Sequence, residues 1–275
     1  MTAVPALAQD APPQDTRDGS GYDRDSHFSG PYVSAFGGIS IPQSGNGQSL
    51  VFDRGTDGTF GDTVVTSTGD NAFAPGFCGG SFTSSSPGNC ETDKSRGEYG
   101  ARIGYDYRMD YIVVGALVEG NKSDATDSTS AFSSTPAAYR IDRQLDYAIS
   151  GRLRVGITPM GGALFYGTAG VSYARVDHIF TTTNGANSFT PNRDDDMVWG
   201  WQAGGGAEIM VTDNVSLGLE YLYSRYNDNK YSVNVSQGTA ADTNPFVLGG
   251  GTTDIRMSDH RFDTYAGRVT LGFHF

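Results

Sequence analysis

The sequence predicts an all-β chain that closes into one eight-stranded antiparallel transmembrane β-barrel. Three observations predict it. Apolar and polar residues alternate with period two in eight stretches, and the connections between those stretches alternate short and long. The composition is rich in glycine and aromatics (38 Gly, 15 Tyr and 15 Phe), while hydrophobic residues make up only 37% of 275. Strict alternation puts successive side chains on opposite faces, and the low apolar content argues against an ordinary packed core. No apolar run reaches the length of about 18 residues that a spanning helix needs, whereas a barrel strand needs only about 9–11 alternating residues.

In chain order, Ala6-Leu7-Ala8 matches the small-x-small pattern before a signal-peptidase cut. Residues 1–8 therefore read as the tail of an export signal, and the polar, proline-containing stretch 9–29 reads as a flexible periplasmic leader. The barrel is assigned to 30–275. Its strands are expected near 30–41, 98–108, 111–121, 145–157, 164–176, 198–210, 215–226 and 264–275. The last is the clearest: Tyr265, Gly267, Val269, Leu271, Phe273 and Phe275 alternate with Thr264, Ala266, Arg268, Thr270, Gly272 and His274. In 198–210, Trp199, Trp201, Ala203 and Ala207 oppose Gly200, Gln202, Gly204, Gly206 and Glu208. The stretch 111–121 is the least clear, because 112–118 is apolar on both faces.

Short turns are expected at 109–110, 158–163 and 211–214, and long loops near 42–97, 122–144, 177–197 and 227–261. Sorting by length is the pattern of a bacterial outer-membrane barrel, whose short turns face the periplasm and whose long loops face outward. An even strand count brings both ends to the periplasmic side, and closure leaves no unpaired edge in lipid. Trp199, Tyr107, Tyr111, Tyr223, Phe273 and Phe275 fall near strand ends, where aromatics form interfacial girdles.

The net charge is −12 with only three lysines, so the basic stripe of a nucleic-acid binder is missing. Asp194, Asp195 and Asp196 read as a solvated turn or, more sharply, as a divalent-cation site with oxygen ligands. Cys78 and Cys90 sit among Gly, Ser and Pro without metal-type spacing. A structural disulfide fits them best, and a buried pair of free thiols is the alternative. No cofactor or metal site is expected.

Placing an arginine on the lipid face costs about 2–4 kcal/mol at mid-bilayer. The strand phases therefore turn Arg102, Asp106, Glu119, Arg152, Arg154, Glu208, Glu220 and Arg268 into the lumen. Unpaired charges there would cost several kcal/mol each, so Glu208 and Glu220 are expected to pair with arginines among Arg102, Arg152, Arg154 and Arg268. This network reads as a plug, or as the lining of a narrow gated pore; an eight-stranded interior is only wide enough for side chains. Asp177 and His178, and Asp259 and His260, are the only candidates for a general base. No nucleophile elbow accompanies them, and both pairs read as solvated loop residues. Gly204, Gly205 and Gly206 lie mid-strand with no following helix, so they form no phosphate loop.

Three segments carry a family resemblance: Gly30-Pro-Tyr-Val-Ser-Ala-Phe-Gly-Gly38, Gly218-Leu-Glu-Tyr-Leu-Tyr-Ser224 and Gly267-Arg-Val-Thr-Leu-Gly-Phe-His-Phe275. They resemble small outer-membrane β-barrels of the OmpA/OmpX type, and most closely the opacity-protein-like porin family of alphaproteobacteria. The terminal Phe273 and Phe275 resemble the signal read by the outer-membrane assembly machinery. The resemblance covers the strands and not the loops. It implies a cell outer-membrane location, with contacts to the bilayer, to lipopolysaccharide and to the assembly machinery. It says little about function, because members of the family differ in their loops; the reading adopted is a non-enzymatic structural and surface-interaction barrel, with an extracellular ligand met through the loops. A narrow small-solute porin and a hydrolase using the loop Asp/His pairs are the alternatives.

Overall fold

The computed structural model describes residues 27–43, 47–88, 90–159 and 162–275. The expected signal tail and most of the leader lie outside them. Eight long strands form the barrel: β1 (Gly30–Pro42), β2 (Arg96–Met109), β3 (Ile112–Ser123), β4 (Ala137–Ile157), β5 (Ala163–Thr182), β6 (Asp195–Met210), β7 (Val215–Asn227) and β8 (Arg261–His274). Each pairs antiparallel with the next. The ring closes where β8 pairs with β1, from Tyr32 opposite His274 to Pro42 opposite Thr264. Every central strand thus has two hydrogen-bonded neighbours, as a lipid environment requires.

Alternation sorts the two faces as the sequence predicts. Ile103, Leu153, Leu219, Trp199 and Val269 point outward and are exposed, while Tyr32, Leu117, Arg152 and Ala266 point inward and are buried. The girdle aromatics Tyr107, Tyr111, Phe273 and Phe275 are also outward and exposed. The two-residue turn between β2 and β3 is Asp110-Tyr111, one residue later than expected. Asp110 takes a left-handed conformation there, with φ of 52°, which a short polar side chain tolerates. Inward glycines leave room for lumen rings. A Cβ at Gly104 would meet the Tyr32 ring at 2.5 Å, and one at Gly100 would meet Phe36 at 2.5 Å.

The long connections are not plain loops. β4 has 21 residues and β5 has 20, about twice what a tilted strand needs to cross a bilayer. Their upper halves stand beyond the membrane as a platform. On it, the strand Thr126–Ser133 pairs with the start of β4, and Gly76–Gly79 pairs with Thr126–Ser133. A second sheet joins four distant segments in the order Ser188–Pro191, Val233–Ser236, Thr253–Met257 and Leu50–Arg54. Between these sheets Leu50, Phe52, Phe73, Tyr139, Val233, Phe246 and Ile255 form a hydrophobic core. Phe73 is its hub, 4.4 Å from Phe52 and 5.4 Å from Tyr139 between ring centroids. The connections therefore build a folded cap over the outer mouth. Its strands are only two to eight residues long, and those of the four-segment sheet pair across long sequence distances, too short for alternation to reveal them.

Cys78 and Cys90 are joined by a disulfide across 12 positions, tying the strand Gly76–Gly79 to Cys90–Glu91 at the cap's edge. A closed loop of this size is worth about 3 kcal/mol in the chain-entropy model, and here that stabilisation is local. Alkylation without reductant should leave both cysteines unlabelled. After reduction, hydrogen exchange should speed up across 76–91 and stay unchanged in the barrel strands. Two alkylatable thiols in the untreated protein would contradict the assignment.

Candidate functional site

The lumen is built in layers, because inward positions on neighbouring strands fall at common heights. At the periplasmic mouth Phe28, Val113, Leu164 and Tyr166 form an apolar floor. This accounts for the inward apolar start of 112–118: Val113 meets the floor while Ile112 and Val114 face lipid. Phe28 belongs to the expected flexible leader, yet it is buried and packs edge-on against His274 at 5.5 Å.

The charged layers lie above it and contain all eight predicted lumen residues, each buried. In the lower layer the Arg154 guanidinium donates to Asp106 at 2.7 Å and to Glu208 at 3.2 Å. Ser216 donates to Glu208 at 2.5 Å, and the His274 ring lies 3.1 Å from the same carboxylate. In the upper layer Arg102 forks onto both oxygens of Glu220 at 2.9 Å each, and its Nε lies 3.0 Å from Glu119. Arg152 reaches Glu119 at 2.5 Å and Glu220 at 3.3 Å. Arg268 reaches Glu119 at 2.7 Å, Glu220 at 3.3 Å, and also Glu98. Tyr166 donates to Glu220 at 2.9 Å. Three carboxylates thus face three guanidiniums, and the forked geometry is the strong form of such pairs. The rings of Tyr32 and Phe36 lie under the cations, 4.4 Å from Arg154 and 4.6 Å from Arg268.

Both predicted pairings, Glu208 with Arg154 and Glu220 with Arg102, Arg152 and Arg268, are present. Sequence reasoning missed Glu98, which sits at the first position of its predicted strand. It also missed Tyr166, Asn121 and Ser216, which satisfy the carboxylates. The inward phase of each strand marks all four.

A polar belt of Ser150, Ser172, Gln202 and Tyr226 follows, then an apolar belt that includes Leu145, Val176, Val198 and Phe262. Over this belt, under the cap, lies a second buried polar cluster that the sequence does not signal. Arg143 pairs with Asp127 and donates to the carbonyls of Asp259 at 3.0 Å and Arg261 at 3.1 Å. It lies 3.9 Å from Asp228. The reading of His178 as a solvated loop residue is corrected here. β5 extends past its predicted end and carries His178 into the buried layer. There its Nε2 meets Asp228 at 2.9 Å and its ring stacks on Tyr231 at 4.4 Å. Neither sequence-adjacent Asp serves its His: Asp177 takes Arg175, and Asp259 takes Arg261. In the acidic run, Asp195 pairs with Arg175, and Asp196 with Arg193 and Lys230.

Asp127 stands in the cap, outside the membrane-spanning segments. Burial pushes its carboxyl up to about 6, against the opposing pull of Arg143. The folded cap therefore holds this proton more tightly than the unfolded chain does. The stabilisation is fully present below the ordinary value of 3.8 and is lost as pH rises through about 6. Cap exchange rates should rise over that interval in the native chain, and Asp127→Asn should flatten this part of the profile. An unaltered profile in the variant would remove Asp127 as the cause.

The chain is similar to known outer-membrane proteins. The 31 kDa outer-membrane immunogenic proteins of Brucella melitensis and Brucella suis are each 30% identical to this chain over 126 residues, 46% of this chain and 52% of theirs. The match thus spans about half the length of these curated relatives. Among solved structures, the outer membrane protein OprG from Pseudomonas aeruginosa aligns over 90% of this chain and 98% of its own, with 14% identity and a TM-score of 0.47. Neisserial surface protein A aligns over the same shares with 14% identity and a TM-score of 0.38. The family model for the outer membrane protein beta-barrel domain matches residues 2–249, and with the eight-stranded closed wall this places the chain in that family of outer-membrane proteins.

Proposed function

We propose that the protein is a sealed outer-membrane anchor that displays a folded cap at the cell surface for interaction with an extracellular ligand. The observation that carries this reading is the lumen. The buried, mutually paired Glu/Arg layers occupy its cross-section, and the cap core lies above them. Chain length is invested in an extracellular platform rather than in an open passage. Lipid and lipopolysaccharide meet the outward face. There partly exposed ion pairs, such as Lys122 with Asp146 and Arg225 with Asp263, stand above the apolar wall. Phe273 and Phe275, exposed at the periplasmic rim, supply the signal to the assembly machinery. Among the described residues neither Asp of the two dipeptides hydrogen-bonds its neighbouring His, and the Asp–His pair that does form, His178 with Asp228, is buried under the cap.

The test is topology and heat-modifiability in cells. Antibodies against the cap should label intact cells, and unboiled protein should migrate apart from boiled protein on gels. Labelling only after permeabilisation, or identical migration, would overturn the proposal.

A further inference from the structure

One cavity lies between the barrel rim and the cap. It is lined in part by Arg143, His178, Asp228, Tyr231, Arg256 and His260. Its space of about 10 Å³ admits one water-sized group. Two cations face it, in a chain of net charge −12. Arg143 spends its terminal nitrogens on Asp127 and two carbonyls, leaving its buried Nε without a partner. Arg256 has no ion pair among the described residues. Its guanidinium carbon lies over the Phe60 ring, 3.8 Å from the centroid, and its buried Nε is also unpartnered. A stacked guanidinium keeps its N–H edge free for an anion. Tyr231 is 6% exposed and its buried hydroxyl has no partner.

The only carboxylate in the lining is Asp228. Its Oδ2 lies 2.9 Å from the His178 Nε2 and 3.9 Å from the Arg143 guanidinium, and its buried Oδ1 has no partner among the described residues. The two arginines leave a trace on their neighbour: His260 is held below the usual imidazole range, first by burial and then by repulsion from Arg256. Two guanidiniums exclude a metal cation, and the small volume excludes a sugar ring. We propose that this cavity binds a compact monovalent anion, either a carboxylate oxygen entering from the solvent side beside His260 or a halide, held by Arg256 and by the Arg143 Nε and Tyr231 hydroxyl. The site goes beyond surface display and stands whether or not the lumen conducts.

The experiment uses the full chain refolded in detergent, titrated with sodium formate or sodium chloride against sodium methanesulfonate at constant ionic strength. The readout is hydrogen exchange of segments 228–236 and 253–260. Formate should slow exchange saturably, with a midpoint that Arg256→Gln raises about tenfold, as for loss of one charge-assisted hydrogen bond. Arg256→Lys should recover part of the affinity, and Lys94→Gln, at an exposed cap site, should change nothing. Chloride matching formate identifies a halide as the occupant, and formate acting alone identifies a carboxylate. If Arg256→Gln fails the gel-shift test for folding, Tyr231→Phe serves in its place, with a smaller increase. A non-saturable response, or equal midpoints in native and variant proteins, overturns the proposal and leaves the cavity to water.

Discussion

Glu220→Ala is expected to destabilise the barrel by about 3–5 kcal/mol, the range for removing one partner of a fully buried ion pair. Glu220 accepts from Arg102, Arg152, Arg268 and Tyr166. Its loss leaves three guanidiniums sharing Glu119 and Glu98 in a space that excludes bulk water. Arg102→Ala alone should cost a similar amount, since it removes the fork on Glu220 and one cation from Glu119. The double variant should cost clearly less than the sum of the two, with a coupling energy of roughly 0.5–3 kcal/mol. Urea unfolding in detergent micelles measures all four corners of this cycle. Strict additivity would mean that the charges are hydrated independently.

Arg143→Ala should act on the cap rather than on the barrel. One side chain joins β4 to the Thr126–Ser133 strand through Asp127, and to the approach to β8 through the carbonyls of Asp259 and Arg261. Deleting it leaves Asp127 and Asp228 buried without their cation, a loss of about 3–5 kcal/mol where the pair is dry. Exchange should accelerate in 126–133 and 253–260, while amides in the β1 and β8 pairing keep their protection. Loss of protection across the whole molecule would show instead that cap and barrel unfold as one unit.

How legible these features were depended on how regular the local pattern is. The wall was readable because lipid outside and a polar lumen inside impose strict alternation. Trp199 and Glu208 fall on opposite faces in the sequence and in the structure alike. The lumen charges followed from the same phase, since arginine on the lipid side is prohibitive. Glu98 escaped only because it stands at the edge of its predicted strand. The cap was illegible for the opposite reason. Phe73, Tyr139 and Phe246 meet across long sequence distances; Phe73 and Phe246 lie in no strand, and Tyr139 lies in the part of β4 that precedes its expected start. No local period announces that Arg143, Asp127, His178 and Asp228 converge. Their pairing is a product of tertiary packing, and the sequence-adjacent Asp and His residues pointed elsewhere.

The central claim is that paired charges seal the lumen. Single-channel recording of the refolded protein in a planar bilayer tests it most directly, with the Glu220→Ala and Arg102→Ala double variant run alongside. The native protein should show a flat baseline with no unitary steps, and the variant, with its largest lumen fork removed, should show small resolvable openings. Stable unitary conductance from the native protein would contradict the sealed lumen and identify the Glu/Arg layers as the lining of a pore.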